Sequence, residues 1–327
     1  MNYIDSGLFK IIPIHMNVIF NSEYFSFTSN LNNERFITMV EDINNNDNII
    51  LDFKDIKNTL VSDFICFFVE WTRDRSVLMI NFEDRTYDLL KNNFEDKFIN
   101  FDDLKLKKCL KTQKFPNDVE LPTLMEYEYL SDYLEKKCKE ILFDNKNKPE
   151  SVSSNVYTNI NFDVKRLFGN IDTVKIAVYL MARKLIKMEK NDEIFNYKLL
   201  SSSFNGCILA NIIALIIGKK HISIPHLGPG FTVEDNRYLD YIQNGDKFIY
   251  IYDFIALGNE QKTISVVASL LDSEIIYSLG LTYYKPNKKF KGKTISVIDF
   301  NKIIEENKVH IAADENDLNI LTGRSHG

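Results

Sequence analysis

Residues 248–260 read FIYIYDFIALGNE: bulky apolar residues, one carboxylate at Asp253, then a small-residue turn ending in Asn259 and Glu260. A strand this apolar suits a parallel sheet buried on both faces. In such sheets ligands sit just past the carboxyl ends of the strands. An acid at that point, followed by a tight loop opening a helix, is where a sugar or phosphate would be gripped.

The rest of the chain bounds what can surround that strand. Its 327 residues suit two domains of ordinary size, or one with elaborations. A composition 45% hydrophobic and 26% charged is that of a globular protein with real cores. The net charge of −6 does not support a broad footprint for nucleic acid, although a local basic patch remains open. No apolar run approaches the roughly 18–20 residues that span a bilayer, and the polar start MNYIDSGLFK does not read as a signal peptide. A cytoplasmic protein with no membrane contact is the expectation. Cys66, Cys109, Cys138 and Cys207 are scattered, without CxxC or paired His, so reduced and mostly buried thiols are expected rather than a zinc site or disulfide framework.

Strands alternate with helices through the first third. FSFTSN reads as a short strand and Glu34–Ile43 as a helix; NIILDF is a strand ending on an acid. Ser62–Trp71 is an apolar helix with Ser62 as a candidate cap, SVLMINF a buried strand, and RTYDLLKNNF another helix. On LDFKDIKNTLVSDFICFF, residues 18–110 resemble the small STAS-like modules. That resemblance implies a partner-binding α/β module, with Ser62 either in its regulatory loop or simply capping a helix. Farther on, Glu120–Phe143 reads as an amphipathic helix and DNKNKPESVSSN as a polar loop or linker. The expected division is a STAS-like α/β domain at 1–115, a helical linker at 116–160 and a second domain at 161–327.

The second domain reads as a doubly wound α/β unit. Asp172–Met188 is an amphipathic helix, KLLSSS a strand, FNG a turn, and Gly206–Lys220 a helix apolar nearly all round and closed by Gly218. HISI follows as a strand, then a long turn-rich stretch, the strand FIYIYD, the helix QKTISVVASLL and the strand SEIIYSLGLTYY. Two strand-to-helix turns stand out. Residues 201–206, SSSFNG, offer amides at a helix amino terminus, a ready anion cradle. Residues 253–260 end a strand on Asp253 and turn through Gly258, which tolerates positive φ.

This order of strand, Ser-rich turn, apolar helix, strand, flexible segment, acid-ended strand and small-residue turn resembles the type I phosphoribosyltransferases over roughly Phe162–Tyr284. The resemblance implies a doubly wound parallel sheet that binds phosphoribosyl pyrophosphate (PRPP) with Mg2+ and transfers its phosphoribosyl group to an acceptor. It implies a pyrophosphate loop of Ser202, Ser203, Phe204, Asn205 and Gly206, and a 5′-phosphate turn of Ile255, Ala256, Leu257, Gly258, Asn259 and Glu260. It further implies that Asp253 holds the ribose and, through it, the metal; Arg237 in the flexible segment reads either as a phosphate contact or as a solvated loop charge. A homodimer is a further expectation.

The chain also departs from the family pattern. Tyr252-Asp253 stands where the family has two acids, and Leu257-Gly258 where it has Thr-Gly. Glu260 lies where the 5′-phosphate is expected, pointing either into that space or outward along the helix. Asp253 alone also reads as a helix cap, Lys219 and Lys220 as a helix carboxyl terminus or substrate contacts, and His221 and His226 as structural or surface residues or as site residues. Tyr252 either fills the space of the missing acid or stacks on a ligand. The departures leave a second function open: a sensor or effector of this fold, in signalling or defence, that acts through protein association without catalysis.

Overall fold

The structure, a computed structural model, describes residues 3–20, 31–54, 56, 62–101, 108–117, 121, 127–144, 150–153, 156–158, 160–162, 164–224, 241–256, 258–284, 290–303 and 311–312. The chain divides into two compact units, Met1–Leu130 and Ser131–Gly327. The strand expected at FSFTSN lies outside the described residues.

The first unit contains β1 (Ile4–Asp5), β2 (Lys10–Pro13), α1 (Ile14–Phe20), α2 (Asn33–Val40), β3 (Asn48–Asp52), α3 (Ser62–Thr72), β4 (Ser76–Ile80), α4 (Asp84–Asn93), β5 (Phe98–Asn100) and β6 (Leu110–Thr112). They build one sheet in the order β1-β2-β3-β4-β6-β5. Strands β2, β3 and β4 are parallel and the outer pairings antiparallel. All five residues of β4 are buried, as expected for a central strand. Asn32 caps α2 by accepting from the Arg35 amide at 2.9 Å, which turns Phe36 inward. There Phe36 meets Phe64, Phe68 and Trp71 edge-on, a geometry that aligns ring edges with ring faces. Asp52, at the end of β3, is wholly buried. It accepts from Asn81 Nδ2 at 2.7 Å, the Tyr129 hydroxyl at 2.8 Å and the Lys54 amide at 3.1 Å. Burial raises its pKa, and those donors oppose the shift.

After α5 (Glu128–Glu140), the second unit contains β7 (Leu142–Asp144), β8 (Glu150–Ser153), β9 (Val156–Thr158), β10 (Ile160–Phe162), α6 (Val164–Phe168), α7 (Ile171–Lys190), β11 (Tyr197–Ser201), α8 (Phe204–Ile217), β12 (His221–Ser223), β13 (Lys247–Ile255), α9 (Asn259–Leu270), β14 (Glu274–Tyr283), β15 (Lys293–Ser296), α10 (Phe300–Ile303) and β16 (Ile311–Ala312). Two expectations are corrected here. The helix expected to reach Phe143 ends at Glu140, and Leu142–Asp144 pair with β10 as a strand. The polar stretch expected as a loop carries β8, which pairs antiparallel with β9. Backbone pairing with β9 makes this stretch a strand despite its polar composition.

The main sheet has five parallel strands in the order β12-β11-β13-β14-β15. From β11 the chain steps outward to β12 through α8, and from β13 it steps the other way to β14 through α9. Right-handed crossovers in opposite directions put α8 and α9 on opposite faces. Packing agrees: Phe248, Tyr250 and Tyr252 of β13 cluster with Ile264, Val267 and Ala268 of α9. Their neighbours Ile249 and Ile251 face the other side. Residues 248–252 are at most 2% exposed. The doubly wound parallel sheet expected from the sequence is therefore present. Helix α8 ends as anticipated on Gly218, which is left-handed at φ 67°. Helix α7 begins at Ile171, one residue before the expected start, and is capped by Asn170.

Tyr252 ties three strands together. Its ring lies against Gly280 of β14, and its hydroxyl donates to the Ile295 carbonyl of β15 at 2.7 Å. A Cβ at Gly280 would lie 2.2 Å from the Tyr252 ring and 2.5 Å from its backbone oxygen. Gly280→Ala should therefore destabilise the protein by about 1–3 kcal/mol or more, as overpacking does. A lowered urea midpoint would register it, and an unchanged midpoint would mean that the ring does not sit on this glycine.

Among the described residues no helix is long and apolar enough to cross a membrane, and no group of three or more His, Cys, Asp or Glu is placed to hold a metal ion. The four cysteines are free; Cys109 and Cys138 are buried, Cys207 is half-buried and Cys66 exposed.

Candidate ligand crevice at the switch point of the sheet

Strand order reverses between β11 and β13, so the turns leaving those two strands open side by side at their carboxyl ends. From β11 the chain passes Ser201 and Ser202 to Ser203, the N-cap of α8. Its Oγ accepts from the Gly206 amide at 3.0 Å. Gly206 is required by contact: a Cβ there would meet Ser203 Oγ at 2.7 Å and the Ile251 carbonyl oxygen at 2.9 Å. Its lack of a side chain lets the first turn of α8 lie directly on β13.

The β13 side differs from expectation in one respect. Asp253 does not end its strand; Phe254 and Ile255 continue the pairing with Thr282 and Tyr283 of β14. Ile255 is buried in the core, so only its backbone is available to a ligand. Asp253, half-buried, projects to the loop of β11. Its carboxylate accepts from Asn205 Nδ2 at 2.9 Å and from Ser203 Oγ at 3.4 Å. Beyond Ala256 the chain reaches Gly258, left-handed at φ 70°, and α9 begins at Asn259. Leu257, Arg237 and His226 lie outside the described residues.

Glu260 points inward. Its Oε1 accepts from Ser202 Oγ at 2.6 Å, joining the α9 turn to the β11 turn. The Tyr250 hydroxyl is 2.7 Å from the same Ser202 Oγ. A hydroxyl carries a single proton, so with Ser202 donating to Glu260 the phenol must donate to Ser202. Burial, then the charges of Glu260 and Asp253, raise the Tyr250 pKa and keep it a donor. The loop thus meets two carboxylates: Ser202 bonds Glu260, while Ser203 and Asn205 bond Asp253. Phe204, between them, is 79% exposed beside the crevice.

Other sequence candidates sit elsewhere. Tyr252 is 1% exposed and committed to β14 and β15, so it fills space and does not stack on a ligand. Lys219 pairs with Glu189 at the end of α8 and covers the Tyr197 ring. His221 bridges Ser201 Oγ at 2.8 Å and Asn211 Oδ1 at 3.0 Å. The Asn211 carbonyl oxygen only accepts, so Nδ1 carries the proton and Nε2 accepts from Ser201. Ser201 is fully buried, which makes this chain a clamp of β11 to β12 and α8 rather than an activated nucleophile. Tyr250 and Asn211 were not singled out in the sequence. The available signal for Tyr250 was a phenol inside a fully buried strand, which needs a partner.

Burial lowers the His221 pKa from 6.5 to about 4. The unfolded chain takes up that proton first, so this contribution is complete above pH 6.5 and is lost as pH falls toward 4. Discounted for the partly exposed ring, it amounts to about 1–2 kcal/mol. In urea titrations at pH 7 and pH 4.5, wild type should lose more stability than His221→Gln on acidification; equal losses would contradict the neutral clamp.

No known family description and no curated protein matches the sequence. Among solved structures the chain is similar to orotate phosphoribosyltransferase from Aeropyrum pernix: 17% identity over 54% of this chain and 97% of that chain, TM-score 0.37. It is also similar to adenine phosphoribosyl transferase from Trypanosoma brucei, solved with AMP, pyrophosphate and ribose-5-phosphate: 13% identity, 53% and 82% covered, TM-score 0.40. A third is UMP synthase of Leishmania donovani, at 12% identity and TM-score 0.40, with 60% of this chain and 42% of that chain covered.

Proposed function

We propose that the crevice between β11 and β13 binds a ribose-bearing ligand, PRPP or a related nucleotide or phosphosugar, and supports transfer of its phosphoribosyl group to an acceptor. The observation that carries this is the convergence on Asp253 of Ser203 and Asn205 at the switch point of the sheet. A carboxylate has about four acceptor sites. Two of them are engaged by the loop, and vicinal ribose hydroxyls would take the remainder. The amides that open α8 after Ser203 suit the pyrophosphate end. The turn through Gly258 would face the other end of the sugar.

Magnesium, a hard cation usually held together with ligand phosphates, fits the crevice through the ribose and pyrophosphate oxygens that Asp253 and the α8 turn would hold. Magnesium bound there would supply neutralisation of pyrophosphate charge. The protein's own part is positioning: Asp253 fixes the sugar and the α8 amides orient the departing pyrophosphate, chemistry that requires no nucleophilic side chain.

Calorimetric titration with PRPP, with and without magnesium, tests this reading. Wild type should bind in a magnesium-dependent manner, and Asp253→Asn should lose about tenfold or more in affinity. Binding that survives unchanged in Asp253→Asn, or no binding by folded wild type, would overturn it.

A further inference from the structure

Glu260 is the second residue of α9, where an outward carboxylate would merely favour the helix dipole. Instead it turns back to the β11 loop and closes the relay from Tyr250 through Ser202, a serine only 5% exposed. An anionic acceptor therefore already occupies the space between the Gly258 turn and the loop. A phosphate monoester arriving there brings a second anion and further acceptors, which Glu260 repels. A free hydroxyl brings a proton that Glu260 can accept.

Resting on the ribose-binding reading above, we propose that Glu260 determines the ligand class: it stands in for the terminal phosphate, so the crevice favours ribosyl ligands that end there in a free hydroxyl. The pyrophosphate end, toward α8, is unaffected by this selection. PRPP would then be held by its ribose and pyrophosphate, with its 5′-phosphate as the unfavourable end. The buried relay gives Glu260 a fixed position, because Ser202 accepts a hydrogen bond from Tyr250 and donates its own to the carboxylate. The sequence resemblance left two orientations of Glu260 open, and only this one places charge in the crevice.

The test is an NMR titration of wild type, Glu260→Gln and Glu260→Thr with ribose and with ribose 5-phosphate, and Asp253→Asn as the control for the site. Glutamine keeps an oxygen for Ser202 while removing the charge, and threonine provides a second neutral variant if glutamine perturbs folding. Wild type should bind ribose about tenfold more tightly than ribose 5-phosphate, and the neutral variants should erase or reverse that preference. If both sugars bind in an Asp253-dependent manner but the preference is the same in all three proteins, the Glu260 proposal is overturned and the ribose site stands. If neither sugar binds any of the folded proteins, both fall.

Discussion

The parallel pairing of β11 with β13, strands separated in sequence by α8 and β12, is the constraint on which the second unit depends. It reverses the direction in which the sheet grows, sends α8 and α9 to opposite faces, and leaves two turns with adjacent mouths. Without that adjacency, Ser203 and Asn205 could not reach Asp253, nor Ser202 reach Glu260. Gly206 makes the approach close, since any Cβ there would strike Ser203 and the Ile251 carbonyl. The crevice is a consequence of strand order first and of side chains second.

Its chemistry then follows from how each polar group is satisfied. Tyr250 is buried in the strand and needs an acceptor; Ser202 supplies one and needs an acceptor in turn; Glu260 ends the relay. Asp253 lies on the same strand, three residues on, and takes the other loop donors. Tyr252, between them in sequence, faces the α9 side and spends its hydroxyl on β15. Tyr252 is thus part of the sheet's internal fastening, and the loop's second carboxylate partner, Glu260, comes from α9.

Much of this was legible in the sequence because it depends on local pattern. The apolar runs of β4, α8 and β13, the Gly218 stop and the Ser-rich turn follow from periodicity and cap chemistry, which act over a few residues. What was not legible depends on partners distant in sequence. That β13 continues past Asp253 is decided by β14, through Phe254 with Thr282 and Ile255 with Tyr283. The inward turn of Glu260 is decided by Ser202, far back along the chain, and helix propensity is indifferent between its two orientations. The β8–β9 pair was hidden because the stretch is polar, and it is the facing strand that makes ESVS a strand. His221 read as a lone histidine until Ser201 and Asn211 fixed its two nitrogens.

We propose that the turns after β11 and β13 act as one binding site. Amide chemical-shift mapping with magnesium pyrophosphate and ribose added together tests it most directly. The amides of Ser203, Asn205 and Gly206 and those of Gly258, Asn259 and Glu260 should shift along one common saturation curve. Shifts confined to one turn, or to residues outside both, would contradict it.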